Sequence, residues 1–233
     1  MVRFHNFFTV KRVKKTLDSV FFTPVPVSRA SRHLTEAGKG ERTMANIIPA
    51  DKIEAVTGIC LDSGCLDAVE LAGILMADPA IRMHGPEHHF LVAAALLTAY
   101  SNSYCPELKY SFLKKAAQRT GRIPVAVCAL YGTCGAMMGA GAAVSIMTRA
   151  NPFAADPLQL VNRVTAAIQQ ELAGYAGIRC CKRSVWASLR GTQQVLAGCE
   201  GLALPLPERG IRCPWCFSHD ACIGGSCPYC QED

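Results

Sequence analysis

The stretch PEHHFLVAAALLTAYSN, residues 86–102, predicts one long apolar helix. Pro86 is suited to its first position, because proline lacks an N–H that would go unbonded there and its φ angle is preset for a helix. Segments of the same kind predict further helices over residues 65–77, 107–120, 134–148, 157–177 and 180–196. Few β-branched runs alternate with period two, so we predict an all-α fold with a short Cys-rich metal-binding tail.

Two of these helices have predicted caps. Asp62 or Ser63 would cap the helix over residues 65–77, since both side chains can accept a hydrogen bond from a helix start. Thr133 would cap the helix over residues 134–148, which places Cys134 in its first turn.

Composition divides the chain into three parts: a basic extension over 1–46, a helical domain over 47–205 and a Cys-rich tail over 206–233. The extension accounts for the net charge of +6, since residues 1–44 carry nine Lys or Arg and three acids. It is a basic tail, a targeting peptide or a segment upstream of a true start at Met44. We favour the last, because apolar patterning becomes regular only after Met44. The neutral remainder argues against nucleic acid as a partner.

The chain contains 13 Cys and no convincing secretory signal. We therefore expect a cytoplasmic protein with reduced thiols, whose clustered Cys serve metal or redox chemistry. The uncharged segment 123–148 is long enough to span a bilayer. Its Gly and Cys residues favour a buried core segment broken near Tyr131-Gly132, so we expect no membrane insertion.

The tail carries the most specific motif in the chain. Its five Cys are Cys213, Cys216, Cys222, Cys227 and Cys230, spaced C-x2-C-x5-C-x4-C-x2-C. Two C-x2-C pairs bring four thiolates to one zinc ion or iron–sulfur cluster, and the spacing does not distinguish the two. A thioredoxin-type motif is not favoured, because only three residues follow Cys230 and none of the required helix can form. His219 could be a further ligand or an exposed loop residue.

Three further thiols lie at predicted helix starts. Cys134 is followed by Gly135 and Gly139, which leave one helix face bare for a cofactor or for a neighbouring helix. Cys180 and Cys181 are flanked by three cations at a helix start, a setting that lowers thiol pKa. Adjacent Cys rarely pair with each other, so these two suit separate tasks, such as one ligand and one nucleophile, or two ligands to a cluster. A buried thiol beside an exposed one is the structural alternative.

A histidine cluster begins at His84 and contains Glu87, His88 and His89. Its letters match the H-x-x-E-H pattern of inverzincin zinc peptidases, but Pro86 starts the helix after His84 and separates the two histidines that would bind zinc. We predict acid–base or metal-ligand roles for this cluster, with a surface helix cap as the alternative.

The set HGPEHH, GTCGAMMGAG, RCCKRSVW and the Cys-rich tail resembles an uncharacterised prokaryotic domain family over about residues 47–230. That family is sometimes fused to radical-SAM or methyltransferase modules, so the resemblance implies such a partner, and it disfavours an organelle transit peptide. More loosely, the residues around Cys134 are similar to redox-active proteins with a GCAxxG core. Here Gly rather than Ala follows Cys134.

Together these features predict a metal–thiol protein. We expect an iron–sulfur enzyme or a thiol-based enzyme, with redox or sulfur-handling chemistry on a small molecule. In this hypothesis the three functional helix starts meet at one pocket. The alternative from another class is a non-catalytic zinc-binding interaction module that accompanies a methyltransferase or radical-SAM partner. A zinc metallopeptidase is the remote alternative.

Overall fold

The computed structural model describes residues 47–206 and 210–230, which belong to the compact unit Arg42–Asp233. The expectations for residues 1–46 lie outside the described residues. Within them the all-α prediction is confirmed, since they form eight α-helices and two 3-10 turns and no strand. The helices are α1 (Ala50–Asp62), α2 (Ala68–Ala77), α3 (Glu87–Tyr104), α4 (Lys109–Thr120), α5 (Val127–Leu130), α6 (Gly135–Met147), α7 (Ala155–Ala173) and α8 (Cys181–Leu196).

Helix α3, the segment that predicted the fold, lies at the centre of the core. Its residues from Phe90 to Ala99 are completely buried, on every side of the helix. A helix that is apolar all round must be enclosed by others, and α3 contacts α1, α2, α4, α6 and α8. This placement fixes the start of α3, with its histidines, against the start of α6.

Two helix starts differ from the prediction. Helix α1 continues through Asp62, so α2 begins at Ala68 and is capped by Asp67, whose carboxylate accepts the Val69 N–H at 2.7 Å. Helix α6 begins at Gly135, and Cys134 is therefore its N-cap residue rather than a member of its first turn.

Helices α3 and α6 approach closely because α6 lacks side chains on one face. A Cβ atom at Gly139 would overlap the His89 carbonyl oxygen, and one at Gly135 would overlap the His89 ring. At Gly139 the bare face is occupied by the backbone of α3, which is the neighbouring-helix alternative of the prediction. Gly135 serves the same packing and also lines the cavity described below.

The uncharged segment 123–148 is divided between two helices. Residues 131–134 separate α5 from α6, and Gly132 turns the chain in the left-handed region with φ 64°. Among the helices of the described residues, none combines the length and the apolar character needed to cross a bilayer.

The tail, residues 210–230, packs on α7 and α8, and Tyr229 is its most buried aromatic side chain. Tyr229 is 1% exposed, and its hydroxyl donates to the Glu171 carboxylate. The Arg190 guanidinium lies 5.1 Å from the Tyr229 ring centre and forms an ion pair with Glu171 at 2.7 Å. The Cys213 N–H donates to the Tyr229 carbonyl at 2.7 Å, which ties both ends of the tail to this anchor.

Candidate functional site

One cavity of about 520 Å³ lies where the starts of α3, α6 and α8 meet. It is also bordered by α5 and by the end of α7. The predicted site residues that line it are Cys134, Cys180, Cys181, His88, His89 and Gly135. Three segments far apart in sequence thus bring thiols and imidazoles to one enclosed space.

His88 lines this cavity and has one buried ring nitrogen without a hydrogen-bond partner. It is 1% exposed, and its Nδ1 lies 3.1 Å from the Gly85 carbonyl oxygen. A carbonyl can only accept, so Nδ1 carries the proton and Nε2 keeps its lone pair, with no hydrogen-bond partner. Burial, assisted by the nearby Lys182 cation, lowers the pKa of His88 to about 3. The side chain is therefore a neutral acceptor or ligand.

His89 lies beside it, against the start of α6. Its Nε2 packs on Gly135, and its buried Nδ1 has no hydrogen-bond partner. Burial lowers the pKa of His89 to about 4. The acid–base prediction assumed that these histidines titrate near neutrality. That assumption is wrong for both, because burial disfavours their charged forms.

The adjacent thiols of α8 face different surroundings. The Cys181 sulfur interacts with the Gly85 backbone and, electrostatically, with Cys134 across the cavity. Cys180 is the N-cap residue of α8, and its sulfur accepts the Arg183 N–H at 3.4 Å. Burial raises the pKa of Cys181 to about 11 and also raises that of Cys180. The lowered thiol pKa predicted from the flanking cations is wrong for the free thiols, since desolvation outweighs the cations.

Glu87 and His84 do not line this cavity. The Glu87 carboxylate accepts from Arg82 Nε at 3.0 Å and Nη2 at 2.9 Å, so both oxygens are engaged by one guanidinium. His84 Nδ1 accepts the Cys181 N–H at 3.5 Å. The three residues of the H-x-x-E-H pattern therefore have different surroundings. Glu87 forms an ion pair with Arg82, His84 contacts the start of α8, and His88 lines the cavity.

Three tail thiols converge on one point. The donor atoms of Cys216, Cys222 and Cys230 lie within 4.8 Å of one another, a group that could hold a metal ion. The structure pairs Cys216 with Cys230 as a disulfide, with their Cα atoms 5.3 Å apart. Cys222 has no place in such a bond, whereas three sulfurs around one ion explain all three positions. The Phe217 N–H donates to Cys222 Sγ at 3.3 Å, an outer contact typical of a metal thiolate.

The other two tail thiols, Cys213 and Cys227, lie toward α8. A second, small cavity of about 20 Å³ is lined by all five tail thiols and by Cys180, which therefore borders the main cavity and the tail. His219, predicted to be either a further ligand or an exposed loop residue, also lines this small cavity, and its Nε2 lies 3.7 Å from Cys180 Sγ.

Lys182 is a functional candidate that the sequence analysis did not identify. It is 1% exposed, its Nζ donates to the Met76 carbonyl at 3.1 Å, and Nζ lies 4.5 Å from the Trp215 ring centre. In the sequence, Lys182 is one of the cations that flank the adjacent Cys180 and Cys181. Only the fold shows that its side chain points inward beside the tail thiols.

Thiolates and a neutral imidazole are the ligands of zinc and of iron–sulfur clusters, so the residues present fit either group. Residues 56–230 match a family of unknown function, DUF5714. No curated protein and no solved structure matches the chain. The resemblance to an uncharacterised domain family is confirmed, and because the match spans most of its length, the chain belongs to the DUF5714 family of unknown function.

Proposed function

We propose that this protein is a metal–thiol enzyme that carries out thiol-based redox or sulfur-handling chemistry on a small molecule bound in the main cavity. In this proposal Cys134 and Cys181 are the reacting thiols, and His88 and His89 bind the substrate through neutral nitrogens. The tail holds zinc or an iron–sulfur cluster. Glu87 holds the start of α3 through Arg82 instead of transferring protons.

The observation that carries the proposal is the composition of the main cavity. Two thiols, Cys134 and Cys181, line it together with His88 and His89, and each histidine has one buried ring nitrogen without a hydrogen-bond partner. A buried polar atom without a partner costs free energy, so a fold that keeps two of them beside two thiols favours a bound molecule that pairs with them.

The walls of the cavity indicate the chemical class of this molecule. The starts of α6 and α8 and the Arg179 side chain border one part, where partial and full positive charges favour an anionic group. Val125, Val127, Leu172 and Ile178 border another part and would contact an apolar portion. We therefore expect an anionic small molecule with an apolar body.

Cys180 connects this cavity to the tail. A metal bound by the tail would fix the start of α8, supplying either structural closure or, in an iron–sulfur cluster, electrons. The protein's own part is to hold Cys181 toward the cavity while Cys180 faces the tail, the division of tasks that suits neighbouring thiols.

The test uses oxidised glutathione, an anionic disulfide, with the reduced full-length protein under anaerobic conditions. A cavity thiolate attacks one glutathione sulfur, a mixed disulfide forms and one glutathione thiolate leaves. We expect adducts first at Cys134 or Cys181, located by peptide mass spectrometry, and loss of this reaction in Cys134→Ala/Cys181→Ala. The control is Cys199→Ala, outside the cavity. Modification confined to thiols outside the cavity would contradict the proposal.

A zinc-binding interaction module that accompanies a methyltransferase or radical-SAM partner is the second candidate. Exposed apolar side chains favour it, since Leu130 and Tyr131 at the end of α5 and Ile178 before α8 are each about two-thirds exposed. Colour separates the candidates in part: an iron–sulfur protein is brown when purified anaerobically, whereas a colourless protein with zinc and unreactive cavity thiols would favour the module.

A further inference from the structure

We infer that Lys182 is the buried counter-ion of the metal–thiolate group in the tail, and that its ammonium group raises the affinity of the tail for its metal. This inference rests on the metal part of the proposed function. It assigns a task to a residue that the proposed chemistry of the main cavity does not use.

Lys182 is a buried cation without an acidic partner among the described residues. It is 1% exposed, and none of the ion pairs in this part of the chain includes it. Glu87 interacts with it electrostatically, but both Glu87 oxygens are already engaged by Arg82. An ammonium has three N–H donors, of which one reaches the Met76 carbonyl at 3.1 Å. Burial of a charge costs free energy, so this position favours another negative group nearby.

The tail thiols are the groups that can supply this negative charge. Lys182 lines the small cavity together with all five of them. Its Nζ lies 4.5 Å from the centre of the ring of Trp215, the residue before Cys216. Lys182 also interacts electrostatically with Cys213 in the tail and with Cys180 at the start of α8. The ammonium group is therefore enclosed on the side where the tail packs on α8.

The charge of the tail depends on its metal. Free thiols are mostly neutral at pH 7, so the metal-free tail offers little negative charge to a buried cation. A divalent ion bound by the thiolates of Cys216, Cys222 and Cys230 leaves one excess negative charge, which one ammonium group offsets. Burial lowers the pKa of Lys182, and thiolates beside it act in the opposite direction. The metal–thiolate group and the ammonium group therefore stabilise each other.

Arg183 is the other cation among the described residues that line the small cavity, but its guanidinium is engaged elsewhere. Its Nη2 donates to the Ile178 carbonyl at 3.0 Å, and its guanidinium carbon lies 5.3 Å from the centre of the Tyr175 ring. Ile178 and Tyr175 both line the main cavity. The counter-ion role in the tail therefore falls to Lys182.

Cobalt(II) reports thiolate sites by its visible absorption, so an anaerobic titration of the reduced, metal-free full-length protein against a competing chelator tests this assignment. We expect Lys182→Met to bind cobalt about 10- to 100-fold more weakly, the range for loss of a bond to a charged group. Lys182→Arg keeps the charge and should restore most of the affinity. Lys109→Met is the matched control, because its Nζ also donates to a backbone carbonyl, that of Ser63 at 2.9 Å, and it should bind cobalt like the unaltered protein.

Denaturant unfolding with and without cobalt separates a counter-ion from a merely structural lysine. Without metal, Lys182→Met should be as stable as the unaltered protein or more stable, because it removes a buried charge that the neutral thiols do not offset. With cobalt it should be less stable than the unaltered protein. A structural lysine would instead lower stability equally in both states. Circular dichroism confirms that each variant is folded, and Lys182→Gln repeats the comparison with a neutral polar side chain.

The outcomes distinguish this inference from the proposed function. Unchanged cobalt affinity in folded Lys182→Met and Lys182→Gln, or an equal loss of affinity in Lys109→Met, would overturn the counter-ion role and leave the metal–thiolate tail. No bound cobalt in the folded, unaltered protein would overturn the counter-ion role and the metal part of the proposed function together.

Discussion

The helical body and the tail are stabilised in different ways. The body, residues 47–206, buries the whole of α3 between Phe90 and Ala99 and surrounds it with five other helices. The tail, residues 210–230, contains only one 3-10 turn, and its buried side chains are Tyr229 and the thiols of Cys227 and Cys230. Apolar burial therefore accounts for the body, whereas the tail depends on one anchor and on its donor atoms.

The fold of the tail should therefore depend on metal more than the fold of the body does. The tail buries few side chains completely, although Ile211, Trp215 and Ile223 pack partly on the core, and we propose that bonds between its thiols and an ion supply much of its order. The body requires no such support. We expect metal removal to release the tail and leave the helices folded.

The largest effect should come from the core of the body. Phe90→Ala removes a completely buried ring from α3, and we expect the free energy of unfolding to fall by about 3–5 kcal/mol. Denaturant unfolding followed by circular dichroism measures it. Ile74→Ala on α2, where the side chain is 49% exposed, is the control and should cost far less. Equal losses in the two variants would mean that α3 is not the centre of the core.

The next effect tests the anchor between the two regions. Tyr229→Phe removes the hydroxyl that donates to the partly buried Glu171 carboxylate, and a bond to a charged group contributes about 1.5–3 kcal/mol. The tail should become more sensitive to proteolysis while the helical signal persists. Tyr110→Phe on α4, 60% exposed, is the matched control. Unchanged proteolysis would show that metal bonds alone hold the tail.

Close packing inside the body can be tested at one glycine. Gly139→Ala places a methyl group onto the His89 carbonyl, and we expect a loss of about 1–3 kcal/mol in the free energy of unfolding. Gly58→Ala on α1, where a Cβ atom meets nothing within 4 Å, should instead be neutral or stabilising. If Gly139→Ala were also neutral, α3 and α6 would be further apart than described.

Acid should weaken the body through its buried histidines. The pKa of His88 is lowered to about 3 in the folded protein from about 6.5 when unfolded, so the unfolded chain binds the extra proton first. Stability should be unaffected above pH 6.5 and fall by up to about 1.4 kcal/mol per pH unit as the pH drops toward 3. His89, with a pKa of about 4, adds to the slope over a narrower range.

Unfolding curves at several pH values check this expectation. His88→Gln should have a shallower pH dependence than the unaltered protein, since glutamine does not titrate in this range. An equal slope in both proteins would mean that the folded state binds a proton at His88 as readily as the unfolded chain does.

Much of the fold could be predicted from the sequence, because long apolar segments bounded by Pro86, Gly121 and similar residues leave few alternatives to helices. The start of α2 could not, since Asp62 and Asp67 are both suitable caps and only the length of α1 decides between them. The spacing of the five tail Cys predicted metal ligands, and three of them lie close enough together to hold an ion. Which three converge could not be predicted, because it depends on how the tail packs on α8.

The directions of the pKa shifts could not be predicted from the sequence either. The cations near Cys180 and Cys181 can be read from the sequence. The burial that raises the pKa of these thiols against the effect of the cations is a property of the folded chain. The same holds for His88 and His89, whose ordinary pKa near neutrality is displaced by their enclosure.

Elemental analysis of the anaerobically purified full-length protein tests whether the tail is a metal–thiolate unit, as we propose. We expect zinc or iron in a whole-number ratio to the chain, reduced by Cys216→Ser and by Cys222→Ser without loss of helical content. A metal-free protein with a Cys216–Cys230 disulfide and an ordered tail would contradict it.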